Sequence, residues 1–238
     1  MTTSIKNLSP VKYAKIAGLL YLLIAILGMF SIGYVPGVII KTGEASATVE
    51  NLLGHVTLFR TGVAADTFVF MIEMILTVML YQMFKTVNKT LALIATFARF
   101  AMIFTMGINL VIYVTPLFFL TDPDFINAYG QEQLNALTML FFNIHQDGIL
   151  LWGLFFGLHL IILGYLVYRS GNHPRWIAVF MMVGSLGYLL ESFSHFALAP
   201  NKVISVLVII FLSIVVVGEF SFAFWLLIKG LKTPQLRV

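Results

Sequence analysis

Six long apolar stretches, separated by short polar segments, dominate the hydrophobic pattern of the chain. Each stretch reaches the length of about 20 residues that a helix needs to cross the hydrocarbon core of a bilayer. The stretches cover approximately residues 14–35, 59–84, 90–119, 135–168, 175–197 and 203–228. The pattern therefore predicts an all-α, polytopic membrane protein, a bundle of about six transmembrane helices that forms a single integral membrane domain over residues 1–238.

The third and fourth stretches are longer than a bilayer requires, so their helices must tilt, break or project beyond it. A proline inside a helix removes a backbone donor, and a glycine weakens the helix. We therefore predict breaks at Pro116 in the third stretch and at Asp147–Gly148 in the fourth.

A shorter periodic segment lies between the first two stretches. Four apolar residues recur there at the i, i+3, i+4 and i+7 positions of one helical face, namely Val49, Leu52, Leu53 and Val56. This spacing predicts a short interfacial helix near residues 46–56, lying flat on the outer surface of the membrane. A lid over a binding site is the alternative interpretation.

Composition supports the membrane assignment. Hydrophobic residues make up 60% of the chain and charged residues only 10%, whereas soluble domains carry roughly 25% charged residues. The absence of cysteine excludes disulfides, thiolate metal ligands and cysteine nucleophiles. The net charge of +4 does not indicate a nucleic-acid partner, because the basic residues lie singly or in pairs at the ends of apolar stretches.

The basic residues also predict the orientation of the helices. Ten of the fourteen fall on one side of the predicted bundle, namely Lys6, Lys12, Lys15, Lys85, Lys89, Arg169, Arg175, Lys229, Lys232 and Arg237. The other side has Lys41, Lys202 and Arg60, together with an acidic loop that contains Asp122, Asp124 and Glu132. The positive-inside rule then places both termini in the cytoplasm.

Half of the ten acidic residues lie inside the predicted spans. A charge at the bilayer centre costs about 2.5–3.5 kcal/mol, so such side chains normally face the interior of a bundle and find partners there. Four polar residues have similar predicted depths near the midplane, namely Glu73, Arg99, His159 and Glu219. Because the second and third helices form a hairpin about residue 87, Glu73 and Arg99 should meet as a buried ion pair. Such a pair can be architectural as well as functional.

A second polar layer is predicted nearer the outer surface, where it would line a cavity open to the outside. Its candidate ligand-binding residues are Arg60, Asp66, Asn109, Asp147, Glu191 and Ser192. Titratable groups stacked from the midplane to the surface are typical of a proton relay or an ion pathway. We therefore interpret the protein as one that binds or transports a small molecule, an ion or a lipid head group. A homo-oligomer would supply the surface that a six-helix monomer lacks.

The same outer layer allows a metal site. Its candidate ligands are His145, Asp147, Glu191 and His195, a set that suits zinc or iron. The alternative function is therefore a metal-dependent membrane hydrolase that acts on lipid-like substrates, so whether the protein is an enzyme stays open. The spacing of these four candidate ligands matches no recognised metal-binding motif. Haem is disfavoured, because His145 and His159 would each need a second axial histidine and His195 alone is available.

Several strings of residues resemble a bacterial family of integral membrane proteins known as domain of unknown function 4386. The strings are Ala14–Tyr21, Leu58–Asp66, Gly157–His159, Leu163–Tyr165, Tyr168–Gly171, Gly187–Ser192, Gly218–Glu219 and Trp225–Gly230. The resemblance implies the helical fold and a location in the bacterial cytoplasmic (inner) membrane, and it implies no activity. The candidate polar residues Arg60, Asp66, His159, Glu191 and Glu219 lie inside these strings, whereas His145 and His195 lie outside them.

Overall fold

A chain that crosses a bilayer is expected to be helical, because the bilayer offers backbone groups no water and each N–H must find its carbonyl within the same segment. The computed structural model describes residues 9–199 and 201–230; Lys6, Lys232 and Arg237, which contribute to the predicted orientation, lie outside them. No strand occurs in the described ranges. The helices are α1 (Pro10–Gly28), a π-helical segment (Met29–Tyr34), α2 (Val35–Ile39), α3 (Ala45–Gly54), α4 (Val56–Phe84), α5 (Lys89–Thr121), α6 (Pro123–Ala128), α7 (Gln131–Ser170), α8 (Arg175–Gly184), α9 (Leu186–Ala197) and α10 (Lys202–Ile228).

Six helical stretches are long and apolar enough to cross a membrane. They are Pro10–Ile39, Val56–Phe84, Lys89–Thr121, Gln131–Ser170, Arg175–Ala197 and Lys202–Ile228. Each contains or closely matches one stretch of the hydrophobic pattern, which confirms the predicted all-α, six-span fold. The orientation with both termini in the cytoplasm stays a prediction.

The predicted helix breaks at Pro116 and at Asp147–Gly148 are wrong. Pro116 lies inside α5, which runs without interruption for 33 residues, and Gly148 lies inside α7, which runs for 40 residues. A proline removes a single backbone donor, a loss that membrane helices accommodate. At about 1.5 Å per residue these helices exceed the roughly 30 Å of hydrocarbon, so in a bilayer of that thickness they would have to tilt or project.

The described residues form two compact units. Unit 1 comprises residues within 1–23, 72–103 and 150–238, and unit 2 comprises residues 24–71 and 104–149. In unit 1, α8 and α10 pack so closely that a Cβ added at Gly184 would lie 2.6 Å from the Cα of Val215. Small residues permit this close approach of backbones, as in other membrane helix pairs.

Unit 2 has an aromatic core. The ring of Tyr113 lies 4.8 Å from that of Phe59 and 5.5 Å from that of Phe142, measured between centroids. The predicted short helix is present as α3, whose Leu52 is fully buried while Leu53 is exposed. The apolar stripe is therefore divided, and part of it packs into unit 2. The position of α3 relative to a membrane surface stays a prediction.

The short connection from α7 to α8 contains a buried histidine. His173 is 8% exposed and packs against the rings of Phe84, Phe222 and Trp225. Its Nε2 atom has no hydrogen-bond partner among the described residues. Burial lowers the pKa of His173 from its ordinary value of 6.5 to about 4, because the protonated ring would lose its hydration there.

We expect this histidine to make stability depend on pH. The folded state disfavours protonated His173, so the stabilisation is complete above pH 6.5 and is lost as the pH falls toward 4. At one pH unit below the ordinary pKa of 6.5, the free energy of unfolding of the wild type should have fallen by about 1.4 kcal/mol. That of a His173→Phe variant should not fall by this amount. Thermal unfolding of both proteins across this pH range measures the difference. A His55→Gln control at an exposed position should behave as the wild type, and identical pH profiles for His173→Phe and the wild type would contradict the prediction.

Candidate functional site

A buried arginine organises the polar residues of unit 1. Arg99 on α5 is 1% exposed, and its Nη2 atom lies 3.7 Å from Oε1 of Glu73 on α4. Glu73 is also buried. The ion pair expected from the α4–α5 hairpin is therefore present. A guanidinium is always charged in proteins, so a negative partner is the least costly way to bury it.

His159 on α7 is held between the same arginine and the backbone of α5. Its Nδ1 atom lies 2.8 Å from the carbonyl oxygen of Ala95, and its Nε2 atom lies 3.1 Å from Nη1 of Arg99. A carbonyl oxygen only accepts, so Nδ1 carries the hydrogen; a guanidinium only donates, so Nε2 accepts. This geometry requires a neutral imidazole in one tautomer.

Glu219 on α10 joins the group through a tyrosine. The hydroxyl of Tyr21 on α1 donates to Oε1 of Glu219 at 2.9 Å. The guanidinium carbon of Arg99 lies 5.5 Å from the centre of the Tyr21 ring, within range of a cation–π interaction. We call these five residues the Arg99 cluster: Tyr21, Glu73, Arg99, His159 and Glu219.

Close packing of α1 against α10 brings Tyr21 to Glu219. A Cβ added at Gly18 would lie 2.7 Å from the carbonyl oxygen of Ala223 and 2.7 Å from the amide nitrogen of Leu227. Glycine at this position, three residues before Tyr21, allows the two backbones to touch. Tyr21 is not among the residues predicted from the sequence. Its only signal is a polar group well inside an apolar stretch, where tyrosine is less expected than at the ends.

A small cleft between α4, α5 and α7 lies beside His159 of the Arg99 cluster. Its volume is about 10 Å³, which is the room that one water molecule needs. The lining residues come from α4, α5 and α7, namely Thr77, Leu80, Tyr81, Phe84, Ala92, Ala95, Thr96, His159, Leu163 and Leu166. His159 thus forms part of the wall of a cleft with room for about one water molecule.

Unit 2 has its own buried polar residues. Asp66 on α4 accepts a hydrogen bond of 2.5 Å from the hydroxyl of Ser31, which lies in the π-helical segment. Asn109 on α5 donates from Nδ2 to the carbonyl oxygen of His145 at 2.9 Å. The ring of His145 stacks on Tyr113 with centroids 4.3 Å apart.

Gly148 of α7 allows close helix packing and does not break the helix. A Cβ added at Gly148 would lie 2.6 Å from Nδ2 of Asn109, and Oδ1 and Cγ would be closer still. The amide of Asn109 thus occupies the space that any other residue at this position would fill. Because the helix does not open there, His145 is buried and Asp147 is exposed on different faces of α7.

The remaining predicted residues are divided between the two units. Arg60 lies in unit 2 and is exposed, whereas Glu191 lies in unit 1 and is half-buried. Ser192, also in unit 1, is buried, and its hydroxyl lies 2.7 Å from the carbonyl oxygen of Leu150. His195 is exposed.

No three of His, Asp and Glu come together to hold a metal ion within residues 9–199 and 201–230. Zinc or iron bound by His145, Asp147, Glu191 and His195 stays a prediction, as does a site shared by Arg60, Asp66, Asn109, Asp147, Glu191 and Ser192.

Comparison with known proteins places the chain in a family. The profile of the family described as "Domain of unknown function (DUF4386)" matches residues 16–230. An uncharacterised protein of Archaeoglobus fulgidus is 25% identical over 170 residues, which cover 71% of this chain and 83% of the relative. No solved structure is detectably similar to the chain. The match over nearly the whole chain agrees with the resemblance seen in the sequence.

Proposed function

The chain belongs to the DUF4386 family, and from this premise we propose that it is an ion-coupled membrane protein that binds a proton in the Arg99 cluster. The observation that carries the proposal is the number of charges in that cluster. The cluster contains two carboxyl groups, those of Glu73 and Glu219, and a single guanidinium. His159 adds no positive charge, because its ring is neutral: Nδ1 donates to the carbonyl oxygen of Ala95 and Nε2 accepts from Arg99.

With both carboxyl groups ionised, the cluster has a net charge of −1. Such a charge is costly in a low-dielectric interior, and one bound proton removes it. Arg99 can then pair with whichever carboxylate remains ionised, since its Nε atom has no hydrogen-bond partner within residues 9–199 and 201–230 and its guanidinium contacts both Glu73 and the ring of Tyr21. Movement of the proton would thereby be coupled to movement of the arginine.

The cleft beside His159 supports access to the cluster from one side. It begins near Phe84, at the end of α4, and includes the ring of His159. With both termini in the cytoplasm, as the basic residues favour, this side would face the cytoplasm of the proposed bacterial inner membrane. A water in the cleft could bring a proton to the edge of the cluster at His159.

Infrared difference spectroscopy of the purified full-length protein tests proton binding. A pH step should produce the signal of a protonated carboxyl group, and Glu219→Gln should remove it. Glu191→Gln is the matched control, because Glu191 is an acid of the same unit that lies outside the cluster, and it should keep this signal. If Glu219→Gln leaves the spectrum unchanged, the cluster does not bind the proton.

Proteoliposomes test transport separately. A potassium diffusion potential imposed across vesicles that contain the protein should drive proton uptake, reported by an enclosed pH-sensitive dye. Glu219→Gln should reduce uptake to the rate of protein-free vesicles. If infrared spectroscopy shows the proton and wild-type vesicles show no uptake, the binding proposal stands and proton transport by the protein alone is wrong.

A further inference from the structure

Unit 2 contains a buried acid with no positive partner. Asp66 is 3% exposed, and no lysine, arginine or histidine of the described ranges forms an ion pair with it. Its hydrogen bond comes from Ser31, which is neutral. One neutral donor compensates poorly for the hydration that an ionised carboxylate loses on burial, so a further positive charge is expected at this place.

The segment around Ser31 has the geometry of a ligand site. Residues Met29–Tyr34 form a π-helical turn between α1 and α2, and such turns occur frequently at functional sites. The hydroxyl oxygen of Ser31 lies 3.5 Å from the carbonyl oxygen of Gly28 as well as 2.5 Å from Asp66. A serine has one hydroxyl hydrogen and cannot serve both acceptors at once. Oxygen atoms of Asp66, Ser31 and Gly28 thus lie close together at the start of the π-helical segment.

A fourth oxygen belongs to Tyr113. This residue is 2% exposed, and its hydroxyl has no hydrogen-bond partner among the described residues. Phe59, whose ring lies 4.8 Å from that of Tyr113, is about two helical turns before Asp66 on α4. The ring of Tyr113 cannot easily turn away, because Phe59, Phe142 and His145 pack around it. A buried hydroxyl without a partner is uncommon, and a bound ligand would supply the partner it lacks.

We propose that Asp66, Ser31 and Tyr113, with the backbone carbonyl of Gly28 directly before the π-helical segment, bind a sodium ion. Carboxylate, hydroxyl and carbonyl oxygens are hard ligands, the type preferred by alkali and alkaline-earth cations rather than by zinc or iron. The single carboxylate selects a monovalent ion, because a divalent ion would leave a net buried positive charge. Unwound or widened helices supply carbonyl ligands to sodium in other membrane proteins.

Sodium-dependent stability tests the site in the purified full-length protein. Thermal unfolding is measured in sodium, potassium and choline chloride at one ionic strength. A ligand that binds only the folded state raises the unfolding temperature in proportion to the logarithm of its concentration once that exceeds Kd, so sodium should do this while choline does not. Asp66→Asn should lose the whole sodium-dependent shift and should be more stable than the wild type in choline chloride, since it removes an uncompensated charge. Ser31→Ala and Tyr113→Phe should require more sodium for the same shift.

Glu219→Gln separates this site from the proposed proton site. It changes unit 1 and should keep the full sodium-dependent shift. Direct binding of radioactive sodium to the wild type, displaced by unlabelled sodium, provides a measurement that does not depend on any variant folding. The proposal is overturned if the wild type binds no sodium, if Asp66→Asn keeps the shift, or if potassium stabilises as well as sodium. Stabilisation by low pH alone, lost in Asp66→Asn, would identify a proton as the occupant and would also overturn it.

Discussion

Gly184→Ala should lower the free energy of unfolding by about 3 kcal/mol, at the upper end of what overpacking costs. The added Cβ would lie 2.6 Å from Cα and 2.7 Å from Cβ of Val215, with the amide nitrogen of Val215 closer still. Backbone atoms of α10 cannot swing aside as the end of a side chain can. The two helices must therefore separate, which would loosen packing along the same face that carries Gly218, next to Glu219. Thermal and denaturant unfolding in detergent measure the loss.

Two control variants identify the cause. Gly107→Ala makes the same change in the middle of α5, where a Cβ would meet nothing within 4 Å. It should be neutral or stabilising by up to about 1 kcal/mol, because alanine favours the helix. Val215→Ala combined with Gly184→Ala should not restore stability, since the clash is with backbone atoms. A Gly184→Ala protein as stable as Gly107→Ala would mean that the backbones of α8 and α10 do not touch at Gly184.

The spans could be predicted from the sequence because hydropathy and length are local properties. A run of apolar residues near 20 long has few alternatives to a membrane helix. The ends follow from local signals as well, such as Lys89 at the start of α5 and Arg175 at the start of α8. Which side chains meet between helices is a less local property. The Glu73–Arg99 ion pair could be predicted because the two residues have similar depths in one helical hairpin.

The composition of the Arg99 cluster could be predicted only in part. Glu73, Arg99, His159 and Glu219 are titratable, so their cost inside a membrane marks them in any sequence. Tyr21 bears no such mark. Its contact with Glu219 depends on α1 packing against α10, and these helices are separated by most of the chain. Gly18 permits that contact, but glycine is common in membrane helices and does not by itself indicate which helix packs against it.

Depth along a helix does not give the direction in which a side chain faces. Asp147 and His145 have similar depths, yet one is exposed and the other buried because they lie on different faces of α7. The sequence also misled at Gly148, where a small residue suggested a break and the structure shows room for Asn109. From the sequence alone, a glycine that makes room for a side chain of another helix looks the same as a glycine that weakens its own helix. The residue that packs against the glycine decides between the two roles.

Arg99→Met should lower the free energy of unfolding by about 3–5 kcal/mol, the usual cost of removing one partner of a buried ion pair. The variant leaves the Glu73 carboxyl group without its cation and Nε2 of His159 without its donor. It also removes the cation over the ring of Tyr21. Arg60→Met is the control, since the same substitution at an exposed arginine of α4 should change stability by less than about 0.5 kcal/mol.

The double variant Glu73→Met/Arg99→Met decides between a charge effect and lost packing. Replacing both partners with apolar side chains removes the uncompensated charge, so it should recover at least half of the stability lost in Arg99→Met. A charge swap is a weaker test, because a glutamate at position 99 would face the lone pair of Nε2 of His159 and could not donate to it. If the double variant is as unstable as the sum of the single variants, the 3.7 Å contact between Arg99 and Glu73 contributes no coupling, and Arg99 stabilises unit 1 through His159 and Tyr21 instead.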